Sequence, residues 1–246
     1  MNIQPRRFHA PDADHMAAFR PFARPFIAKP LAETLRAHIE AAAFPCVGAK
    51  SALAQDGLRI ETARAITDDR GDARIHGALA AWSAVDAADT PEFRSFAVVF
   101  EGPRTLDERG FEAALWERLS RLAALDRAAG FAPEPGFSSD PVDAHFALSF
   151  GGKAYFAVGL HPHASRRARR LPFPAIVFNL HEQFARLRAE DRYERMRAVI
   201  LARDAACDGA PNPMLARHGM VSEARQYSGR AVGKNWVCPF APGEPA

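Results

Sequence analysis

Two histidines each follow an apolar segment at the point where a strand is expected to end. His161 comes after residues 153–160, with Ser165 close behind it, and His181 comes after residues 174–180. Strand ends are where sheet proteins commonly display functional groups. Neutral imidazole is a common ligand for iron and zinc, so two such histidines side by side in a sheet would form a plausible ligand pair. The residues equally fit a simpler interpretation, in which His181 lies in the first turn of a helix with a capping-box start.

A group of arginines lies in the segment that follows His161. The guanidinium fork is suited to binding carboxylate or propionate groups through two parallel N–H donors. A solvated basic loop explains the same residues, and the sequence leaves both interpretations open. The group consists of Arg166, Arg167, Arg169 and Arg170.

A dense polar run lies near the C-terminus, between two glycines. Polar groups of this kind are costly to bury unless they hydrogen-bond one another or a ligand. We therefore predict that Glu223, Arg225 and Tyr227 face a cofactor or substrate pocket, with a solvated turn as the alternative. The run comprises Ser222, Glu223, Arg225, Gln226, Tyr227 and Ser228.

The cysteines offer a second kind of metal ligand. Cys238 lies between Trp236 and Phe240, a setting similar to that of thiolate ligands in some haem enzymes. Cys46, after Phe44 and Pro45, is a weaker candidate of the same type. A lone cysteine beside aromatic residues is more often a small core residue. The three cysteines are too scattered for a disulfide framework or a structural zinc site, and they are expected to be reduced thiols.

Composition excludes several other classes of function. The net charge of +3 and the absence of a basic–aromatic array argue against nucleic-acid binding. No apolar run reaches the roughly 20 residues that a membrane helix needs, and residues 1–11 lack the apolar core of a secretory signal, so we expect a soluble cytoplasmic protein. The sequence contains no GxSxG elbow, P-loop, HExxH or GxGxxG motif.

The elements that position these residues follow from hydrophobic periodicity. Because the strands do not alternate strictly with helices, and Gly151-Gly152 indicates a hairpin, we predict an α+β fold. It is a single domain, 1–246 with a core of about 20–240, with a mainly antiparallel sheet flanked by helices and an irregular C-terminal tail. Helices are predicted over residues 29–42, 47–56, 73–87, 107–129, 181–190 and 192–206, and strands over 58–66, 94–101, 144–150, 153–160 and 174–180.

Several strings of the sequence together resemble the YqcI/YcgG-like family, over about residues 20–240. The last two are long and specific. The strings are Phe44-Pro-Cys-Val-Gly-Ala-Lys50, His161-Pro162 with Ser165-Arg166 and Arg169-Arg170, Phe178-Asn-Leu-His-Glu-Gln-Phe184, Asn212-Pro-Met-Leu215, Ser222-Glu-Ala-Arg-Gln-Tyr-Ser-Gly-Arg230 and Trp236-Val-Cys-Pro-Phe240.

Characterised relatives in that family are haem-dependent N-hydroxylases that act on guanidino groups. The resemblance implies a b-type haem, O2, a small guanidino substrate such as arginine or a derivative, and an external electron donor. Glu223 or Glu182 would then pair with the guanidinium, and Tyr227 and Arg225 would join Glu223 in catalysis. The residues expected to contact the haem are His161, Ser165, Arg166, Arg169, Arg170, His181 and Trp236.

We favour His161 as the iron ligand, because the preceding strand and Pro162 would hold its backbone. His181 and Cys238 remain open as alternatives, although Cys238 lies in a Gly- and Pro-rich tail. Two other functions remain open as well. One is a non-haem metal enzyme with His161, His181 and either Glu182 or Glu223 as ligands. The other is a haem-binding sensor without turnover.

Overall fold

The computed structural model describes residues 28–86, 90–217 and 219–241. The strands are Leu58–Ala65 (β1), Ser95–Gly102 (β2), Leu148–Phe150 (β3), Lys153–Leu160 (β4) and Ala175–Leu180 (β5). The helices are Ala28–Glu40 (α1), Val47–Ala54 (α2), Asp72–Ser83 (α3), Glu108–Ala128 (α4), His181–Ala189 (α5), Tyr193–Asp208 (α6) and Ala224–Tyr227 (α7), and Arg167–Arg169 form one 3-10 turn. Residues 20–27 of the predicted core, and residue 87 of a predicted helix, lie outside the described residues.

The strands form one sheet in the order β1-β2-β5-β4-β3. β1 and β2 pair in parallel, whereas the other pairs are antiparallel. The predicted α+β fold with a mainly antiparallel sheet is therefore confirmed. β3 is shorter than predicted because the residues before it form hydrogen bonds with Ser138. The Ser138 N–H donates to His145 O at 3.0 Å, and the Ala147 N–H donates to Ser138 O at 3.1 Å.

One face of the sheet is covered by α3 and α4. Successive side chains of a strand point to opposite faces, and Phe96, Val98 and Phe100 of β2 point to this one. α4 contributes the predicted apolar stripe that includes Phe111 and Leu115. The helix begins where it was predicted to begin, because the Asp107 side chain accepts a hydrogen bond from Gly110 N–H at 2.7 Å.

The other face is covered less completely. α1 packs against Ala97 and Val99 through Leu31, Leu35 and Ile39, which are buried. α6 is different: all sixteen of its residues are described, and Asp204 alone among them is buried. A helix that lies over a sheet normally buries an apolar stripe. Among the residues that the structure describes, none therefore fills the space beneath α6.

The short helix α7 covers the edge of β4. β3 pairs only with Lys153, Ala154 and Tyr155, so the rest of β4 has no neighbouring strand on that side within the part of the chain that the structure describes. Arg169 joins α7 to this edge, donating from Nη1 to Gly159 O at 3.1 Å and to Tyr227 O at 3.2 Å, and from Nη2 to Gln226 O at 3.2 Å.

The fit between α7 and β4 is tight at Gly159. A Cβ atom at this position would lie 2.7 Å from the Phe111 ring and 3.0 Å from Tyr227 O. Glycine is therefore required here by the close approach of α4 and α7. α7 was not predicted, because four residues are too few to show a helical period. Among the described residues, no helix combines the length and apolarity needed to cross a membrane.

Candidate functional site

A cavity of about 290 Å³ lies between the second face of the sheet and helices α1, α2, α5 and α6. Its middle is apolar. β4 and β5 contribute Val158 and Val177 to one wall, and α6 contributes Met196, Ile200 and Leu201 to the opposite wall. These three side chains of α6 are half-buried, which agrees with the unfilled space under this helix. A bound apolar molecule would complete their burial.

One end of the cavity carries a buried carboxylate. Glu223 Oε1 accepts hydrogen bonds from His181 Nε2 at 2.8 Å and from the Tyr227 hydroxyl at 2.5 Å. Because a carboxylate only accepts, His181 carries a proton on Nε2. Glu223 and His181 line the cavity, whereas Tyr227 lies behind them in the core. Burial, and then the charge of Glu223, raise the pKa of Tyr227 well above its usual value.

The backbone explains why these groups meet. His181 is the first residue of α5, directly after the last residue of β5. Glu223 directly precedes α7, which Arg169 fixes at the edge of the neighbouring strand β4. On the sheet beside them, the Ser95 hydroxyl donates to Asn179 Oδ1 at 2.7 Å, and both side chains line the cavity.

The cavity lining also carries a thiol and a guanidinium group, those of Cys46 and Arg169. Cys46 is the N-cap of α2, and its Sγ accepts from Ala49 N–H at 3.5 Å. Burial raises the pKa of the Cys46 thiol, while the backbone N–H groups and Arg169 act in the opposite direction. Burial lowers the pKa of Arg169 to about 10.

The cavity lining along β4 runs from Phe156, which is paired with Asn179, to Leu160. Four residues of extended strand span about 13 Å. The cavity is thus an apolar space along this length of β4, and its lining includes the carboxylate of Glu223 and the thiol of Cys46.

His161 is not among the residues that line the cavity. It is 2% exposed and stacks on Phe111, with ring centroids 4.3 Å apart, on the side of the sheet that faces α4. Burial lowers its pKa to about 4, so the ring is neutral at pH 7. Its Nδ1 atom has no hydrogen-bond partner among the described residues. Its role as an iron ligand stays a prediction.

The hypothesis that His161 and His181 lie side by side is wrong. β4 and β5 are antiparallel, and Leu180 is paired with Tyr155, at the start of β4. His161 lies six residues beyond Tyr155, or about 20 Å along the strand. The ends of antiparallel strands point in opposite directions, which the sequence pattern alone did not reveal. Among the described residues, no group of three His, Cys, Asp or Glu side chains is arranged to hold a metal ion.

The arginine segment is divided between structural roles. Arg166 pairs with Asp204 at 2.6 Å and with Asp208 at 3.2 Å, which fixes the C-terminal half of α6. Arg170 donates to two carbonyls of its own loop, at Ala164 and Ser165. Four residues of this segment were predicted to contact the cofactor. Of these, Arg169 lines the cavity, whereas Ser165, Arg166 and Arg170 do not.

The Ser165 backbone N–H donates to Glu108 Oε1 at 2.8 Å, and its side chain is exposed. Glu182 also lies outside the cavity lining and binds Lys153 at 3.1 Å. Both residues thus contact other parts of the protein surface.

The C-terminal candidates pack on the opposite face of the sheet. Arg225 donates to Gly233 O at 2.6 Å and lies over the Trp236 ring, 5.7 Å from its centroid. Trp236 contacts Trp116 at 6.3 Å, and Cys238 packs against the same core. Burial raises the pKa of Cys238 to about 12. Of the three polar residues predicted to face the pocket, Glu223 lines it, Tyr227 contacts Glu223, and Arg225 faces the tail.

The comparisons with known proteins can now be set beside this geometry. A profile of the YqcI/YcgG family matches residues 35–241. This chain belongs to the YqcI/YcgG family. It is 31% identical over 221 residues to YcgG of Bacillus subtilis (strain 168), which is described as an uncharacterized protein, and the match covers 86% of this chain and 85% of that protein. No solved structure matches the chain. Among the strings of the YqcI/YcgG resemblance, the one with Cys46 and the one with Glu223 both contribute to the cavity lining.

Proposed function

We propose that this protein is a haem-dependent oxygenase that N-hydroxylates a guanidino group of arginine or an arginine-like compound. The observation that carries the proposal is the cavity itself. Its lining combines apolar walls, a half-buried helix face, a thiol and a buried carboxylate. The reaction type comes from the resemblance to guanidino N-hydroxylases of the YqcI/YcgG family.

The residues of the cavity fit a haem. The macrocycle needs apolar walls and at least one donor for its iron, and the cavity is lined by two such donors, Cys46 and His181. His181 Nε2 bonds Glu223, so only Nδ1 of this ring could meet a metal. We favour Cys46 as the donor, because the backbone N–H groups at the start of α2 and the charge of Arg169 partly offset the burial that raises the pKa of its thiol. A metal ion removes the thiol proton on binding, which overrides the effect of burial. The cavity thus favours Cys46 over His161, which was the choice from the sequence.

When bound, the haem supplies the activation of O2 and the oxidation of the guanidine nitrogen, with electrons from an external donor. The protein supplies the position of the substrate. Glu223 accepts N–H hydrogen bonds from the guanidinium, and carboxylate and guanidinium geometries match. His181 and Tyr227 both hold Oε1, so the orientation of the carboxylate is fixed before substrate binds. The walls formed by Val158, Val177 and α6 exclude water.

The test is product formation from L-arginine, O2 and a reductant by the haem-loaded protein. Glu223→Gln keeps the shape of the side chain and removes its charge, so we expect at least a tenfold loss of N-hydroxylated product, since hydrogen bonds to charged groups contribute about 1.5–3 kcal/mol. Haem content should not change. Glu182→Gln is the matched control, because Glu182 lies outside the cavity lining. Equal turnover in the Glu223→Gln and wild-type proteins would contradict the assigned role.

A further inference from the structure

Two arginine side chains on the helices α5 and α6 also line the cavity, and the proposed reaction does not use them. Arg188 lies two helical turns after His181 on α5, on the same face of that helix. Arg197 lies one turn after Tyr193 on α6. All four side chains line the cavity. These arginines are outside the 166–170 segment and outside the family strings.

Both arginines lie in the neighbourhood of Tyr193. Arg188 lies over the Tyr193 ring, 5.4 Å from its centroid. Burial is the main cause of the raised pKa of Tyr193; the charges of Arg188 and Arg197 lower that pKa, and those of Glu194 and Glu223 raise it. Tyr193 thus lies within the electrostatic reach of both cations, and all three side chains line the cavity.

Among residues 28–86, 90–217 and 219–241, no carboxylate lies within salt-bridge distance of Arg188 or Arg197. Arg197 Nη2 donates to Leu215 O at 3.1 Å. The neighbouring Arg217 differs, since it pairs with Glu194 at 3.4 Å and its side chain is 65% exposed. Two half-buried cations close together repel each other, and an anion between them removes the repulsion.

We infer that Arg188 and Arg197 form a subsite that binds a carboxylate of the molecule in the cavity. The inference rests on the proposed function only for the choice of ligands. A haem propionate and the α-carboxylate of an amino-acid substrate have this same chemistry. Arginine residues bind either one through paired N–H donors.

The experiment measures equilibrium binding of two pairs of probes to the full chain. Hemin is compared with hemin dimethyl ester, in which both carboxylates are blocked, by absorbance. L-arginine is compared with agmatine, which lacks the carboxylate, by calorimetry. The variants are Arg188→Gln and Arg197→Gln. Arg195→Gln is the matched control, because Arg195 is an exposed residue of the same helix α6 and does not line the cavity.

We expect the wild-type protein to prefer the carboxylate-bearing member of at least one pair by about tenfold or more, as a charge-assisted contact of this kind gives. Each Gln variant should lose that preference, and Arg195→Gln should keep it. A loss confined to the hemin pair assigns the subsite to a propionate, and a loss confined to the arginine pair assigns it to the substrate.

The inference is overturned if the Gln variants keep the wild-type preference, or if the wild-type protein shows no preference in either pair. Failure of the proposed function has a different signature, which is the absence of a Soret band with either form of hemin. The arginine pair still reports on the subsite in that case. Circular dichroism of the variants checks that both remain folded.

Discussion

Removal of the titrating group at position 161 should make the protein's stability less sensitive to acid. The pKa of His161 falls from 6.5 to about 4 on folding because the ring is buried against Phe111. Between pH 6.5 and pH 4 the unfolded chain binds a proton at His161 that the folded protein does not bind. The free energy of unfolding is therefore unaffected by this group well above pH 6.5, and it decreases as the pH falls through 6.5 towards 4. The linkage relation gives a loss of about 2 kcal/mol at pH 5, against about 0.2 kcal/mol at pH 7.

The assay is urea unfolding of the wild-type protein and His161→Phe at pH 7 and pH 5. The difference between the two pH values should be about 2 kcal/mol smaller for the variant, because phenylalanine keeps the stacking on Phe111 and does not titrate. His161→Asn, which packs differently and also does not titrate, should show the same reduction. An unchanged pH dependence in both variants would refute the claim that the imidazole is buried in its neutral form.

Three further substitutions test the contacts that fix the site. Arg169→Met removes the three hydrogen bonds that Arg169 donates to carbonyls of β4 and α7, and it should lower the free energy of unfolding by about 3 kcal/mol in urea titrations. Arg170→Met, which affects one exposed loop, should cost less than about 1 kcal/mol. Gly159→Ala places a methyl group against the Phe111 ring and should lower the melting temperature by several degrees, and an unchanged value would mean that the strand edge is loosely packed. Ser83→Ala leaves the buried Tyr155 hydroxyl without its 2.7 Å partner and should cost about 1–2 kcal/mol in the same titrations, so a neutral effect would argue against that bond.

Most of the fold could be predicted because its elements bury regular patterns. The helix 107–129 and the strand 153–160 were correct to within a residue or two, since a long apolar stripe and a hairpin glycine pair are local signals. The direction of strand pairing is not local. His161 and His181 both follow strands, and only the antiparallel register shows that they lie far apart.

The candidate site was predicted in part, for the same reason. Glu223 was identified because a buried polar run needs partners, and it does line the cavity. Cys46 was ranked low because a lone cysteine is usually a core residue, but the helix that starts directly after it was a usable signal for an N-cap. Arg188 and Arg197 carry no sequence signal, since arginines on an amphipathic helix are ordinary surface residues.

A hemin titration of the purified protein, followed by absorbance and by the ferrous–CO spectrum, tests the central claim most directly. The proposal predicts saturation at one haem per chain with a Soret band, and a CO band near the value of about 450 nm that marks thiolate ligation. Cys46→Ala should abolish that CO band, whereas Cys207→Ala, which changes a thiol outside the cavity lining, should leave it in place. A protein that gains no Soret band would contradict the haem proposal, and a CO band that survives in Cys46→Ala would contradict the assignment of Cys46 as the ligand.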